Sequence, residues 1–181
     1  FAATDATSGL ASCPAAKSYS GPDDAAASVG GTCLDVAGNA ATPSLTLKYD
    51  ATAPQATATP TRPANANGWY NAPVPVGFAG TDATAGLASC EAQKTYSGPD
   101  SALASVVGSC QDRAGNTGAA SFGLKYDATR PQATATPSRQ PNAKGWFNAA
   151  VSVGFSATDA LSGVDSCEAA KNYAGPDVAS V

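Results

Sequence analysis

The decapeptide TDATAGLASC, residues 81–90, stands earlier in the chain as TDATSGLASC at 4–13 and later as TDALSGVDSC at 158–167. Each version ends in a cysteine. Cys13, Cys90 and Cys167 lie 77 residues apart (90 − 13 = 77; 167 − 90 = 77). Phe1, Phe78 and Phe155 keep the same step, as do Tyr19, Tyr96 and Tyr173. Lys48-Tyr49-Asp50 recurs as Lys125-Tyr126-Asp127, and Gly68-Trp69-Tyr70-Asn71 as Gly145-Trp146-Phe147-Asn148. A fixed period without gaps decides architecture before local propensity does, because near-identical units are copies of one fold.

The expected organisation follows from that register. Residues 1–50 hold the C-terminal part of one repeat (copy 1), 51–127 a complete repeat (copy 2) and 128–181 the N-terminal part of a third (copy 3). Both ends fall inside a unit, so the expectation is a segment of a longer array.

Composition narrows the class. There are 18 Gly and 13 Pro, no His and no Met, and 13% charged residues. Gly and Pro clusters break the chain into short segments of the kind that build β-sandwiches. A net charge of −4 has the wrong sign for nucleic acid. No apolar run reaches the length of a membrane span, and no stretch reads as a signal peptide, so the targeting signal of a secreted chain is expected outside residues 1–181.

Within copy 2 the apolar residues alternate with period two, the signature of half-buried strands. Val74, Val76 and Phe78 share a face in APVPVGFAG, as do Phe122, Leu124 and Tyr126 in SFGLKYD. Val106, Gly108 and Cys110 do the same in ASVVGSCQD. QATATP at 55–60 suits an edge strand that stops at a proline. Turn signals separate these runs at TAG, SGPD and RAGN. About seven short strands per repeat fit a small antiparallel sandwich.

Such a unit has few large apolar residues and needs a staple. Cys13 with Cys33, and Cys90 with Cys110, are each 20 residues apart, one pair per repeat. Zinc would need four ligands, and a repeat offers two cysteines and no histidine. The expectation is therefore one disulfide per repeat in an oxidising, extracellular or cell-surface setting, with the partner of Cys167 beyond residue 181.

The order of GW(Y/F)N, an apolar strand, TDAxSGxxSC, YSGPD, a VxGxC strand, DxAGN and a closing KYDxTxP resembles bacterial immunoglobulin-like tandem repeats of large secreted and surface proteins. The pieces that carry the likeness best are Asp35-Val36-Ala37-Gly38-Asn39 and Asp112-Arg113-Ala114-Gly115-Asn116. The resemblance implies an all-β chain of immunoglobulin-like sandwiches used as spacer, stalk or adhesion module, with no catalytic residue. One departure stands out. Trp69 precedes both cysteines of its repeat, so the resemblance does not carry over the inter-sheet bridge of antibody domains.

Only Asp50-Ala51-Thr52-Ala53 or Asp127-Ala128-Thr129-Arg130 separates a closing strand from the next Pro-led segment. Joints so short, set by Pro54 and Pro131, predict end-to-end stacking in a semi-rigid rod. The expected function is a structural segment of an extracellular bacterial fibre or long surface stalk. Its partners are neighbouring repeats of the same chain and other copies in a fibre. Alternatives are an adhesin or carbohydrate-binding module, or a spacer on a secreted enzyme.

Without His, nucleophile-and-base catalysis lacks its usual base, and Asp82, Asp100 and Asp112 recur in turns, so no enzyme is expected. No cofactor is expected either. Calcium is the one candidate, through Asp50 and Asp127 with Asp35 or Asp112 near the joints, although no EF-hand loop exists and Asp favours turns by itself. Trp69-Tyr70 and Trp146-Phe147 are candidate sugar-stacking platforms, weighed against packing at a strand entrance.

Overall fold

A computed structural model describes residues 1–175, and the end of copy 3 lies outside them. The chain is all-β, with no helix among the described residues. None of its elements is a helix long and apolar enough to cross a membrane.

Copy 1 forms β1 (Leu10–Ser12), β2 (Asp24–Gly30), β3 (Cys33–Asp35), β4 (Ala40–Ala41) and β5 (Ser44–Tyr49). Copy 2 forms β6 (Gln55–Pro60), β7 (Trp69–Tyr70), β8 (Val74–Thr81), β9 (Leu87–Cys90), β10 (Lys94–Tyr96), β11 (Ser101–Asp112) and β12 (Thr117–Tyr126). Copy 3 forms β13 (Gln132–Pro137), β14 (Val151–Thr158) and β15 (Lys171–Tyr173). Copy 2 thus carries the seven strands that the alternation predicts.

The sheets run β1-β3-β4, β2-β5, β10-β8-β6, β7-β12-β11-β9 and β13-β14-β15. QATATP is an edge strand both times, β6 beside β8 and β13 beside β14 in matching antiparallel register. Most pairings are antiparallel. By contrast, β7 lies parallel to the end of β12 with Trp69 opposite Lys125.

The chain divides into two compact units. One gathers Phe1–Thr61, Pro75–Lys94 and Val106–Phe122; the other gathers Arg62–Val74, Thr95–Ser105 and the chain from Gly123 onward. In the first, alternation along β11 buries Val106, Gly108, Cys110 and Asp112 and turns Val107 and Gln111 outward. Gly108 is required by close approach, since a Cβ there would sit 2.5 Å from the Phe78 ring. Val76 in β8 is fully buried. In the second unit, Val74, Tyr70, Leu124 and Tyr126 are buried. Tyr96 meets Tyr126 edge-on, with ring centroids 5.3 Å apart.

Both disulfides join cysteines 20 residues apart, Cys13 to Cys33 and Cys90 to Cys110. Cys90 and Cys110 face each other directly across the β9–β11 pair. Cys167 is free and exposed.

Candidate functional site

The residues that join one copy to the next form a polar network built from aspartates that accept backbone N–H groups. After β5, the connector Asp50-Ala51-Thr52 is gripped from behind by Asp23 of the GPDD turn. The Ala51 N–H donates to Asp23 Oδ1 at 2.9 Å, and the Thr52 hydroxyl donates to Asp23 Oδ2. The Thr52 hydroxyl and the Ala51 N–H hold the Asp23 carboxyl below the ordinary carboxylate value.

The same connector is gripped from the front by copy 2. Asp50 Oδ2 accepts the Ala85 N–H at 2.8 Å, and the Asn116 side-chain amide donates to the Asp50 carbonyl at 3.1 Å. Asn116 is itself held by Asp112, whose Oδ2 accepts its Nδ2 at 2.8 Å. Asp112 Oδ1 takes the N–H groups of Ala114, Gly115 and Asn116. Burial pushes the Asp112 carboxyl up, but the Asn116 amide and these N–H donors outweigh burial and hold it below its usual value. The Asp112–Asn116 segment is therefore a tight turn whose Asn116 also reaches the preceding copy.

Gly118 completes the joint by size alone. A Cβ there would lie 2.0 Å from the Pro54 carbonyl oxygen, so any larger residue forces the connector away. Beside the joint, a half-open cleft of about 400 Å³ is lined by Lys48, Tyr49, Asp50, Thr84, Ala85 and Arg113, among others.

At the second joint the contacts of Asp23 and Asp50 recur at the equivalent positions. Asp100 Oδ1 accepts the Ala128 N–H at 2.9 Å and its Oδ2 the Thr129 hydroxyl at 2.5 Å. The side chain of Thr129 and the N–H of Ala128 lower the Asp100 carboxyl in turn. Asp127, buried, accepts the Ser162 N–H at 3.0 Å. A further strut, Asn67 Nδ2 to Asp165 Oδ1 at 3.2 Å, links copy 2 to copy 3.

Of the calcium candidates, Asp50 and Asp112 come together, and Asp82 joins them. One carboxylate oxygen from each lies within 4.8 Å of the others. Oxygen donors of this kind suit a hard cation, but calcium takes six to eight of them. Here the carboxylates already accept N–H groups, Asp82 Oδ1 from Thr84 and Gly86 and Asp50 Oδ1 from Thr52. Asp127 lies at the second joint, and Asp35 caps its own turn by accepting the Asn39 N–H and side-chain amide. Asn39 leads the causes that lower the Asp35 carboxyl.

The aromatic candidates divide. Tyr70 is buried, donates its hydroxyl to the Arg62 carbonyl at 3.3 Å and carries the Arg62 guanidinium 5.8 Å over its ring. Trp69 is half-buried beneath the Lys125 ammonium at 5.7 Å, a cation–π contact. Trp146 and Phe147 are exposed, at 53% and 39%. Only the copy 3 pair presents both rings to solvent.

Sequence reasoning missed the role of Asp23, and it placed Asp100 only in a turn. The signal was present, since Asp23 and Thr52 recur together as Asp100 and Thr129 at the common step of 77 (100 − 23 = 77; 129 − 52 = 77). Comparison with family models, curated proteins and solved structures finds no match.

Proposed function

We propose that this chain is a structural segment of an extracellular bacterial fibre or surface stalk. In this reading each copy of 77 residues is one immunoglobulin-like sandwich stapled by its own disulfide, and the array is a semi-rigid spacer with no catalytic centre. The observation that carries the reading is the doubly gripped connector. Asp23 behind and Ala85 with Asn116 ahead fix three consecutive residues of the first joint. Asp100 and Ser162 fix the same residues of the second.

A flexible linker leaves its backbone groups to water, whereas here the Ala51 and Ala128 N–H groups and the Asp50 carbonyl are paired with side chains. Free rotation about the joint would have to break several hydrogen bonds at once. Two such joints at equivalent positions favour a device of extension over a single binding site. The disulfides favour an oxidising setting.

Small-angle scattering of the chain in dilute solution tests the reading. A rod-like distance distribution that broadens in the Asp50→Ala/Asp127→Ala double variant supports it. A broad profile in the parent chain defeats it.

A further inference from the structure

Each of the edge strands β6 and β13, with the residue that follows it, carries three exposed hydroxyls. Thr57, Thr59 and Thr61 correspond to Thr134, Thr136 and Ser138 at the step of 77 (134 − 57 = 77; 138 − 61 = 77), so the hydroxyl is kept even where Thr gives way to Ser. Along β6 the alternation exposes Thr57 and Thr59 and half-buries Ala56, Ala58 and Pro60. Threonine-rich sequence broken by proline, here ATATPTRP at 56–63, is the composition of O-glycosylated stalks.

Four of the hydroxyls are used inside the chain. Thr57 Oγ1 donates to the Ala79 carbonyl at 3.2 Å and Thr61 Oγ1 to the Pro75 carbonyl at 3.4 Å. Thr134 bonds the Ser156 hydroxyl at 2.8 Å, and Ser138 Oγ accepts the Ser152 N–H at 3.1 Å. Among the described residues, the hydroxyls of Thr59 and Thr136 have no hydrogen-bond partner.

These two stand in one environment. Each is exposed and precedes a proline, and each lies opposite a glycine of the neighbouring strand, Gly77 for Thr59 and Gly154 for Thr136. Beyond its chain neighbours, a Cβ built on Gly77 meets nothing nearer than the Thr59 carbonyl oxygen at 4.0 Å, and one on Gly154 nothing nearer than the Thr136 carbonyl oxygen at 3.9 Å. Room is therefore open beside both threonines. Strand propensity accounts for a β-branched residue at these positions, but Val would satisfy it equally. The free hydroxyl adds nothing to the fold.

We infer that Thr59 and Thr136 are O-glycosylation sites, each accepting a sugar from a glycosyl phosphate donor through a transferase. In that step the Thr Oγ forms a bond to the anomeric carbon of the sugar, and the bond from that carbon to the donor phosphate breaks. The phosphate leaves with the electron pair, and the hydroxyl proton passes to a base of the transferase. A sugar at each position stands on an edge strand, where it hinders edge-to-edge pairing with other chains. The inference rests on the extracellular reading above.

The test takes the native protein from outside and from inside the producing cells and maps the peptides that contain residues 55–63 and 132–141 by mass, with fragmentation that keeps a sugar in place. Exported protein is expected to carry sugar mass on Thr59 and on Thr136. Thr59→Val removes the first and Thr136→Val the second, each leaving the other in place and the circular dichroism unchanged. Unmodified Thr59 and Thr136 in exported protein, or sugar confined to other residues, overturns the inference and leaves the spacer reading standing. Protein found only inside the cells defeats the extracellular reading, and the inference with it.

Discussion

The Asp50 carboxylate accepts the backbone N–H of Ala85 at 2.8 Å, across 35 residues of sequence and from one copy of the repeat to the next. The relationship recurs between Asp127 and Ser162 at 3.0 Å, again 35 residues apart. The same contact thus holds the connector at both joints. Residue 85 or 162 can change between Ala and Ser because the donor is backbone, while the acceptor stays Asp.

Gly118 sets how closely the connector approaches copy 2. Gly118→Ala places a methyl group against the Pro54 carbonyl, and backbone has to move. The expected loss is about 1–3 kcal/mol, the usual range for overpacking, read as a lowered thermal midpoint. The same change at Gly123, which has open space around the built Cβ, is expected to be near neutral.

The Cys90–Cys110 bridge closes a span of 20 residues in a repeat with a thin core. On the chain-entropy model its loss costs roughly 3 kcal/mol. Denaturant unfolding of a Cys90→Ala/Cys110→Ala variant is expected to show a large fall in midpoint. An unchanged midpoint would show that packing alone holds the repeat.

Acid is expected to loosen the joints. Asp23, Asp100 and Asp112 have folded-state values below the ordinary 3.8. A lowered folded value means that the unfolded chain binds protons first, so their contribution is complete above about pH 4 and is lost as pH falls through the lowered values. Stability measured from pH 7 downward should be flat with respect to these groups until about 4, then decline. A decline already under way at pH 6 would contradict this.

Hydrogen bonds close the Asp50–Asp82–Asp112 cluster without a cation in this account. Thermal unfolding in millimolar calcium and in chelator is expected to give the same midpoint. A rise with calcium would assign the cluster to a cation, by preferential binding to the folded state.

Much of the fold could be read from the residues. The alternation in ASVVGSCQD places Val106, Gly108 and Cys110 on one side, and that side is buried. Period two survives a thin core because each strand has one covered face. The joint was harder to read. Asp82 and Asp100 are ordinary turn residues by local chemistry, and nothing local reveals that Asp100 reaches Ala128 across 28 residues or that Asp82 meets Asp50. Those contacts depend on how the closing strand is aimed at the next copy. The repeat preserves them as paired positions, while propensity sees each residue alone. Tyr70 and Trp69 show the same limit, since one is buried and the other half-covered although they are adjacent.

The central claim is that the gripped connectors hold successive copies in one arrangement. A spin label on the free, exposed Cys167 and a second on exposed Thr46→Cys report the distance from copy 1 to copy 3 across both joints. Pulsed electron resonance in dilute frozen solution is expected to give one narrow distance peak, which spreads in the Asp50→Ala/Asp127→Ala variant. A broad distribution in the parent chain, unaltered by those substitutions, would contradict the account.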